Sequence, residues 1–280
     1  MKITKIERQK KNKERYSIYL DEDFAFGVSE SVLIRFALTK NLELTPADID
    51  RIKAAENSEY LFNKALNYLS YGLRTQKEMT LYLQKHLNAE DVPMDEAEQS
   101  KVIAKTLERL EHLKLLDDLN YGQAYVQTKV TINRKGPKVI QQELFKKGLA
   151  KEVVDASLVQ YGQDDQVENI DYLAQKFLKA NQKLPLKALK QKLQQHLLMK
   201  GFDSDLISEW MNEFSFEALE NDDASLIGNE AIKMIKRRQN KFKGKALEQK
   251  VKEGLFNKGF DFETIQSWVN QNNTLFDESN

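Results

Sequence analysis

At 280 residues, with 41% hydrophobic and 31% charged residues, 11 Gly and 4 Pro, the chain has the composition of a soluble, helix-rich protein without long disordered linkers. Its 43 Lys and Arg balance 43 Asp and Glu, which removes the net-charge argument for nucleic acid while leaving room for local basic patches. The absence of cysteine excludes disulfides, thiol catalysis and thiolate metal sites, and with no apolar run of membrane-spanning length and no signal-peptide core the expectation is a cytoplasmic protein without membrane contact.

The first fifty residues stand apart. A basic arm over 2–15 leads into YSIYL (16–20), an acidic DED turn and FAFGV (24–28), two β-branched and aromatic runs that predict a hairpin. Ile3 and Ile6 leave room for a further short strand, and a short helix is expected near 30–38. Thr45-Pro46-Ala47-Asp48 then supplies a cap, a first-turn proline and an early carboxylate.

From about residue 58 the period is helical. Thr75 and Glu78 form a capping-box pattern before Met79, Leu83 and Leu87. Ile170, Leu173, Ala174, Phe177 and Leu178 share one apolar face, as do Ile207, Trp210, Met211 and Phe214. Helices of about 10–16 residues with a single apolar face are unstable alone and must pack together.

The chain also repeats itself. KALKQKLQQHLLMKGFDSDLISEW (187–210) aligns without gaps on KALEQKVKEGLFNKGFDFETIQSW (245–268), and RKGPKVIQQELFKKGLAKEVVDASL (134–158) is a looser copy. The Lys-Gly pairs end at Gly148, Gly201 and Gly259, 53 and 58 residues apart, which means tandem helical repeats. At each corner the glycine is expected past the end of a second helix with positive φ. Asp203 and Asp261 then cap the third helix, while Phe202 with Ile207, and Phe260 with Ile265, have staple spacing. Leu149 and Val154 keep the staple in the looser copy, but Ala150 stands where the capping Asp would be. Trp210 and Trp268 recur at equivalent positions, which favours core packing.

The expected fold is therefore mainly α. An N-terminal β-hairpin extension with a short helix occupies 1–50, and three-helix, helix-turn-helix-like repeats follow over 51–117 (degenerate), 118–163, 164–217 and 222–273, forming an elongated curved body.

Little in the sequence points to catalytic chemistry. His86, His112 and His196 are isolated, there is no phosphate loop, dinucleotide fingerprint or HExxH, and the acidic run Glu217–Asp223 reads as a linker rather than a calcium site. No catalytic residue, cofactor or metal is expected. Basic clusters remain: Lys233, Lys236, Arg237, Arg238, Lys241, Lys243 and Lys245 in one run, and Arg134, Lys135, Lys138, Lys146 and Lys147 in another. Either is a solvated face or a contact for phosphates or an acidic partner. The third helices carry Asp203, Asp205 and Glu209, or Asp261 and Glu263, which argues against their entering a major groove.

The segment DDLNYGQAYVQTKVTINRKGPKVIQQELFKKGL (117–149) resembles the most recognisable part of the RecX family, bacterial regulators of the recombinase RecA. The matching positions are Asp118, Tyr121, Ala124-Tyr125-Val126, Lys135-Gly136-Pro137, Ile140, Glu143-Leu144 and Lys147-Gly148-Leu149. The opening KITKIERQKKNKERYSIYLDEDFAFGV is similar to the N-terminal extension of family members from Gram-positive bacteria. Lys129 stands where an Arg is common, and Gly122 where Ala is usual in a helix. The resemblance implies a non-catalytic modulator that lodges in the groove of the RecA–DNA filament and restrains filament growth, strand exchange and ATP hydrolysis; a monomer is expected. It adds Tyr125 and Lys129 to the basic residues above as candidate contacts for filament or DNA. The alternative is a helical-repeat protein that binds nucleic acid directly, and the basic entrance Arg134–Lys138 is the first place to look for function.

Overall fold

The structure, a computed structural model, describes residues 1–10, 12–89 and 95–276, with side chains throughout these spans except at 88–89 and 218–224. Strands β1 (Ile3–Arg8), β2 (Arg15–Leu20) and β3 (Asp23–Ser29) form an antiparallel sheet in that order. Asp21 and Glu22 both have positive φ, 48° and 78°, the geometry of a tight two-residue hairpin turn. The hairpin expected over 16–28 is thus extended by the strand around Ile3 and Ile6, with Ile6 opposite Ile18. Alternation puts Ile18, Leu20, Phe26 and Val28 on the inner face, covered by α1 (Glu30–Arg35), the loop residues Leu38 and Leu44, and the start of α2.

Helix α2 runs over Pro46–Leu69. The Thr45 hydroxyl accepts from the Asp48 N–H at 3.2 Å while the Asp48 carboxylate accepts from the Thr45 N–H at 3.1 Å, so the expected cap and early carboxylate close a reciprocal box. At 24 residues the helix exceeds the length expected from sequence and crosses the 50/51 division. No Gly or Pro interrupts it after the first turn, and its apolar residues serve two cores in succession. Ile49 and Ile52 pack on the sheet, whereas Leu61, Phe62 and Ala65 pack with Met79, Leu83 and Leu87 of α3 (Gln76–Ala89) and with Ile103 and Leu110 of α4 (Glu96–His112). Between the two cores, the buried Glu56 carboxylate accepts from the N–H and hydroxyl of Ser29 at 2.6 and 2.9 Å and pairs with Arg15 at 2.9 Å, fastening α2 to the sheet.

Three further trios of helices follow: α5 (Asp118–Thr131), α6 (Pro137–Lys147) and α7 (Lys151–Leu158); α8 (Gln163–Ala180), α9 (Leu186–Lys200) and α10 (Ser204–Glu213); α11 (Glu217–Arg238), α12 (Gly244–Lys258) and α13 (Phe262–Gln271), closed by a 3-10 turn at Asn273–Phe276. The chain forms two compact units, Met1–Gly122 with Leu144–Ala156, and Gln123–Glu143 with Ser157–Asn280. The acidic run Glu217–Asp223 is not a linker: it begins α11, a 22-residue helix, and its side chains after Glu217 lie outside the described residues. Helix α11 is long because nothing between Phe216 and Arg238 breaks it, Gly228 alone being tolerated within.

The corners have the expected chemistry. Gly148, Gly201 and Gly259 have φ of 91°, 94° and 97°. Asp203 accepts from the Asp205 N–H at 3.1 Å and Asp261 from the Thr264 N–H at 2.8 Å. Phe202, Ile207, Phe260 and Ile265 are buried, as are Leu149 and Val154. Trp210 is buried and stacks on Phe214 at 4.7 Å, while Trp268 packs edge-on to Phe276 against the fourth core. Both tryptophans are structural.

Candidate interface at the helix entrances

Each trio presents the start of its second helix, its entrance, next to the charged residues singled out in the sequence. At the α6 entrance Pro137 takes the first helical position, where its missing N–H costs nothing. Arg134, held at φ 48°, turns its guanidinium onto Asn169 Oδ1 at 2.6 Å, beside Glu168 at 3.6 Å and over the ring of Tyr172 at 4.2 Å. Asn169 is itself buried and donates to the Tyr161 hydroxyl at 3.1 Å. Burial pushes the Tyr161 phenol up to about 12, so it stays protonated. Lys135 pairs with Glu143 at 2.5 Å, and Tyr125 donates to the other Glu143 oxygen at 3.1 Å. Burial alone would raise the Glu143 carboxyl; the Lys135 and Tyr125 hydrogen bonds outweigh it and hold the group below its ordinary value. Lys138 pairs with Asp203 at 2.6 Å and lowers that carboxyl in turn. Lys129 lies over the Tyr125 ring at 4.8 Å.

The backbone explains why these cations have partners. The Gly136 N–H donates to Lys200 O at 2.8 Å and the Lys138 N–H to Gly201 O at 3.1 Å. The free amides at the start of α6 thereby satisfy the free carbonyls at the end of α9, and the positive end of one helix meets the negative end of the other. A Cβ on Gly136 would lie 2.3 Å from the Gly201 carbonyl carbon, so the approach needs glycine.

The same contact occurs at the α3 entrance. The Thr75 hydroxyl donates to Lys147 O, the last residue of α6, at 2.9 Å, and Lys147 pairs with Glu78 at 2.6 Å. That hydrogen bond raises the Lys147 ammonium, and burial raises the neighbouring Tyr121 phenol. At the α9 entrance Ala188 packs on Gly259, whose Cβ would meet it at 2.5 Å, and Lys187 lies over Phe256 at 5.4 Å. Three entrances are therefore docked on three glycine corners.

The fourth entrance, at α12, differs. Lys236, Arg237, Lys241, Lys243 and Lys245 are exposed and take part in no ion pair among the described residues. Its neighbours are engaged: Lys233 pairs with Glu230 at 2.9 Å, and the Arg238 guanidinium donates to Lys250 O. Lys146 is exposed on α6. The structure thus separates the two basic groups, and it is the entrance expected first to carry function, Arg134–Lys138, whose cations are taken up by internal partners. The 134–138 group is bound up in the junction between repeats, and the 236–245 group is open. Nothing in the sequence marks Glu168, Asn169 and Tyr172 as partners of Arg134, because a partner set by tertiary approach leaves no local spacing.

Among the described residues no cluster of His, Asp or Glu could hold a metal ion, and no helix is long and apolar enough to cross a membrane. His86 packs edge-on to Tyr82, His112 lies on the surface, and His196 rests on Phe177 with burial and Lys200 lowering its imidazole.

Family models match three parts of the chain: the regulatory protein RecX N-terminal domain over 1–45, the RecX second three-helix domain over 117–158 and the RecX third three-helix domain over 164–211. A regulatory protein RecX of Listeria monocytogenes is 36% identical over 278 residues, 99% of each chain, and one of Staphylococcus carnosus is 33% identical over 95% of each. A crystal structure of regulatory protein RecX covers 76% of this chain and 99% of its own, at 36% identity and a TM-score of 0.63. Another, from Lactobacillus salivarius, covers 57% of this chain and 97% of its own, at 35% identity and a TM-score of 0.50. With its extension, its repeats and its whole length accounted for in this way, the chain belongs to the RecX family.

Proposed function

We propose that the chain is a non-catalytic regulator of a RecA-type recombinase, which binds the recombinase–DNA filament and restrains its growth, ATP hydrolysis and strand exchange. The observation that carries this reading is the match, over 99% of both chains, to a protein named regulatory protein RecX. The chemistry of the described side chains agrees with it, since Glu56, Glu143, Lys147 and Tyr161, four buried or half-buried ionisable groups, are each held by internal hydrogen bonds or ion pairs. The test is a RecA ATPase and strand-exchange assay on single-stranded DNA with the purified chain added. Both rates are expected to fall as the chain approaches stoichiometry with the filament, and unchanged rates at that ratio would overturn the reading.

A second reading, direct binding of nucleic acid by the repeats, is favoured by the open cations at 236–245. Salt-dependent affinity for an oligonucleotide in the absence of any recombinase is its test.

A further inference from the structure

We infer that the corner between α11 and α12 is the surface on which this chain takes a nucleic-acid phosphate backbone, and that the equivalent corner at 134–138 does not; the assignment rests on the second reading above. In the first three trios the entrance is covered by the following trio. Its amides, hydroxyl or small side chain meet a glycine corner, and Arg134, Lys138 and Lys187 find a carboxylate or an aromatic ring in the trio that follows. At the α3 entrance the pair is reversed, Glu78 taking Lys147 of the following trio. Among the described residues no further trio packs on the α12 entrance. Its cations are as numerous as those at the α6 entrance and keep none of the internal partners.

Local structure fixes how they are presented. Phe242 packs against the fourth core, and the N–H groups of Lys241 and Phe242 both donate to Arg238 O, at 2.9 and 3.0 Å. With Phe242 anchored inward, its neighbours Lys241 and Lys243 are left in solvent. Leu247 anchors the first turn of α12 in the same core and leaves Lys245 outside, while Lys236 and Arg237 stand exposed on the last turn of α11. No acidic residue occurs between Glu230 and Glu248, and each of these two is already paired, with Lys233 and Lys258 or with Lys252.

The choice of phosphate over an acidic protein follows from what the corner lacks. Protein interfaces have an apolar centre, and the docked entrances do use aromatic rings beneath their cations. Between 236 and 246 no large hydrophobic side chain is exposed, the apolar anchors Phe242 and Leu247 being turned inward. A surface with positive charge and no apolar centre matches a chain of phosphates, which recognises charge without reading bases.

The probe is fluorescence anisotropy of the full chain with a labelled oligothymidylate, from 50 to 200 mM salt. If five cations contact phosphates, the wild-type affinity should fall about 100-fold across that range, using a slope near −0.7 per contact. The triple variant Lys241→Gln, Lys243→Gln, Lys245→Gln should bind more weakly and lose only about 7-fold. It should melt as the wild type does, because all three side chains are exposed and unpaired. The double variant Lys135→Gln, Lys138→Gln should keep the wild-type salt slope. A wild-type slope retained by the triple variant would overturn the corner while leaving direct DNA binding in place. Failure of the wild type to bind at 50 mM salt would overturn both. If the triple variant binds the oligonucleotide as the wild type does but no longer slows RecA ATP hydrolysis, the corner docks protein, and the phosphate assignment is wrong.

Discussion

Alanine at Gly136 would place its methyl group 2.3 Å from the carbonyl carbon of Gly201 and 2.4 Å from the Phe202 nitrogen. Both are backbone atoms that cannot turn aside, so the helix ends must move apart and lose two hydrogen bonds. We expect Gly136→Ala to destabilise the protein by about 2 kcal/mol, seen as a melting point lower by about 5 °C. Gly228→Ala should have the opposite sign. That glycine lies inside α11, its methyl group would meet Trp268 Nε1 at an ordinary 3.5 Å, and helix propensity favours alanine by about 1 kcal/mol. Thermal melts of the two variants check both signs. The contrast also shows what the sequence concealed. The exit glycines were legible as corners because they recur at fixed spacing, but the reason for Gly136, a contact with a residue 65 positions away, has no local signature.

At the scale of the element, the caps and junctions set the energetics. Thr75 is fully buried, caps α3 through the Glu78 N–H and donates to Lys147 O. Thr75→Val keeps the shape but removes both bonds, and a loss of about 2 kcal/mol is expected in a urea titration. Asp203 and Asp261 cap their helices, Asp48 completes the Thr45 box, and each carboxyl is held below its ordinary value. For Asp261 burial works against the shift, and the Thr264 hydroxyl and N–H outweigh it; Asp48 is lowered chiefly by Thr45 and Asp203 by Lys138. A carboxyl depressed by folding contributes stability that is complete above its unfolded value, near 3.8, and is lost as pH falls through the folded value. Asp118 acts in the reverse sense, its carboxyl being raised by burial, so its protonation relieves a cost. Asp261→Asn keeps a capping oxygen but cannot titrate. Its urea midpoint should be close to that of the wild type at pH 7 and should fall less between pH 4 and pH 2.5. Helix starts were legible for the same reason that they titrate: a short polar side chain three residues before its target is a local pattern. Helix lengths were not, because α2 is extended by packing against two successive cores, and α11 simply runs on where nothing between Phe216 and Arg238 breaks it.

For the whole molecule, the repeats divide the reporting of unfolding. Both tryptophans, Trp210 and Trp268, belong to the unit containing Ser157–Asn280, whereas Thr75 belongs to the other. Stability in tandem repeats is a sum of local terms, so a single transition is not the expectation. Thr75→Val should shift the midpoint followed by circular dichroism while leaving that of tryptophan fluorescence unchanged; a common shift in both would show a single cooperative block. The architecture was largely legible, since the mainly α repeats behind a small N-terminal β element follow from periodicity and from self-similarity. The ranking of basic residues was not. Arg134–Lys138 and Lys236–Lys245 look alike as strings of letters, and the former is the one expected first to carry function. Only the internal partners brought by tertiary approach distinguish them.

The junctions also have a direction. Each joins the start of one second helix to the end of the next, never two starts or two ends. A gene duplication that appended another trio after α13 would bring its own glycine corner to the existing α12 entrance and would expose its own entrance in turn. Such a lineage could lengthen or shorten at its carboxyl-terminal end without inventing a new surface, and its terminal copy would always be the one with an uncovered entrance.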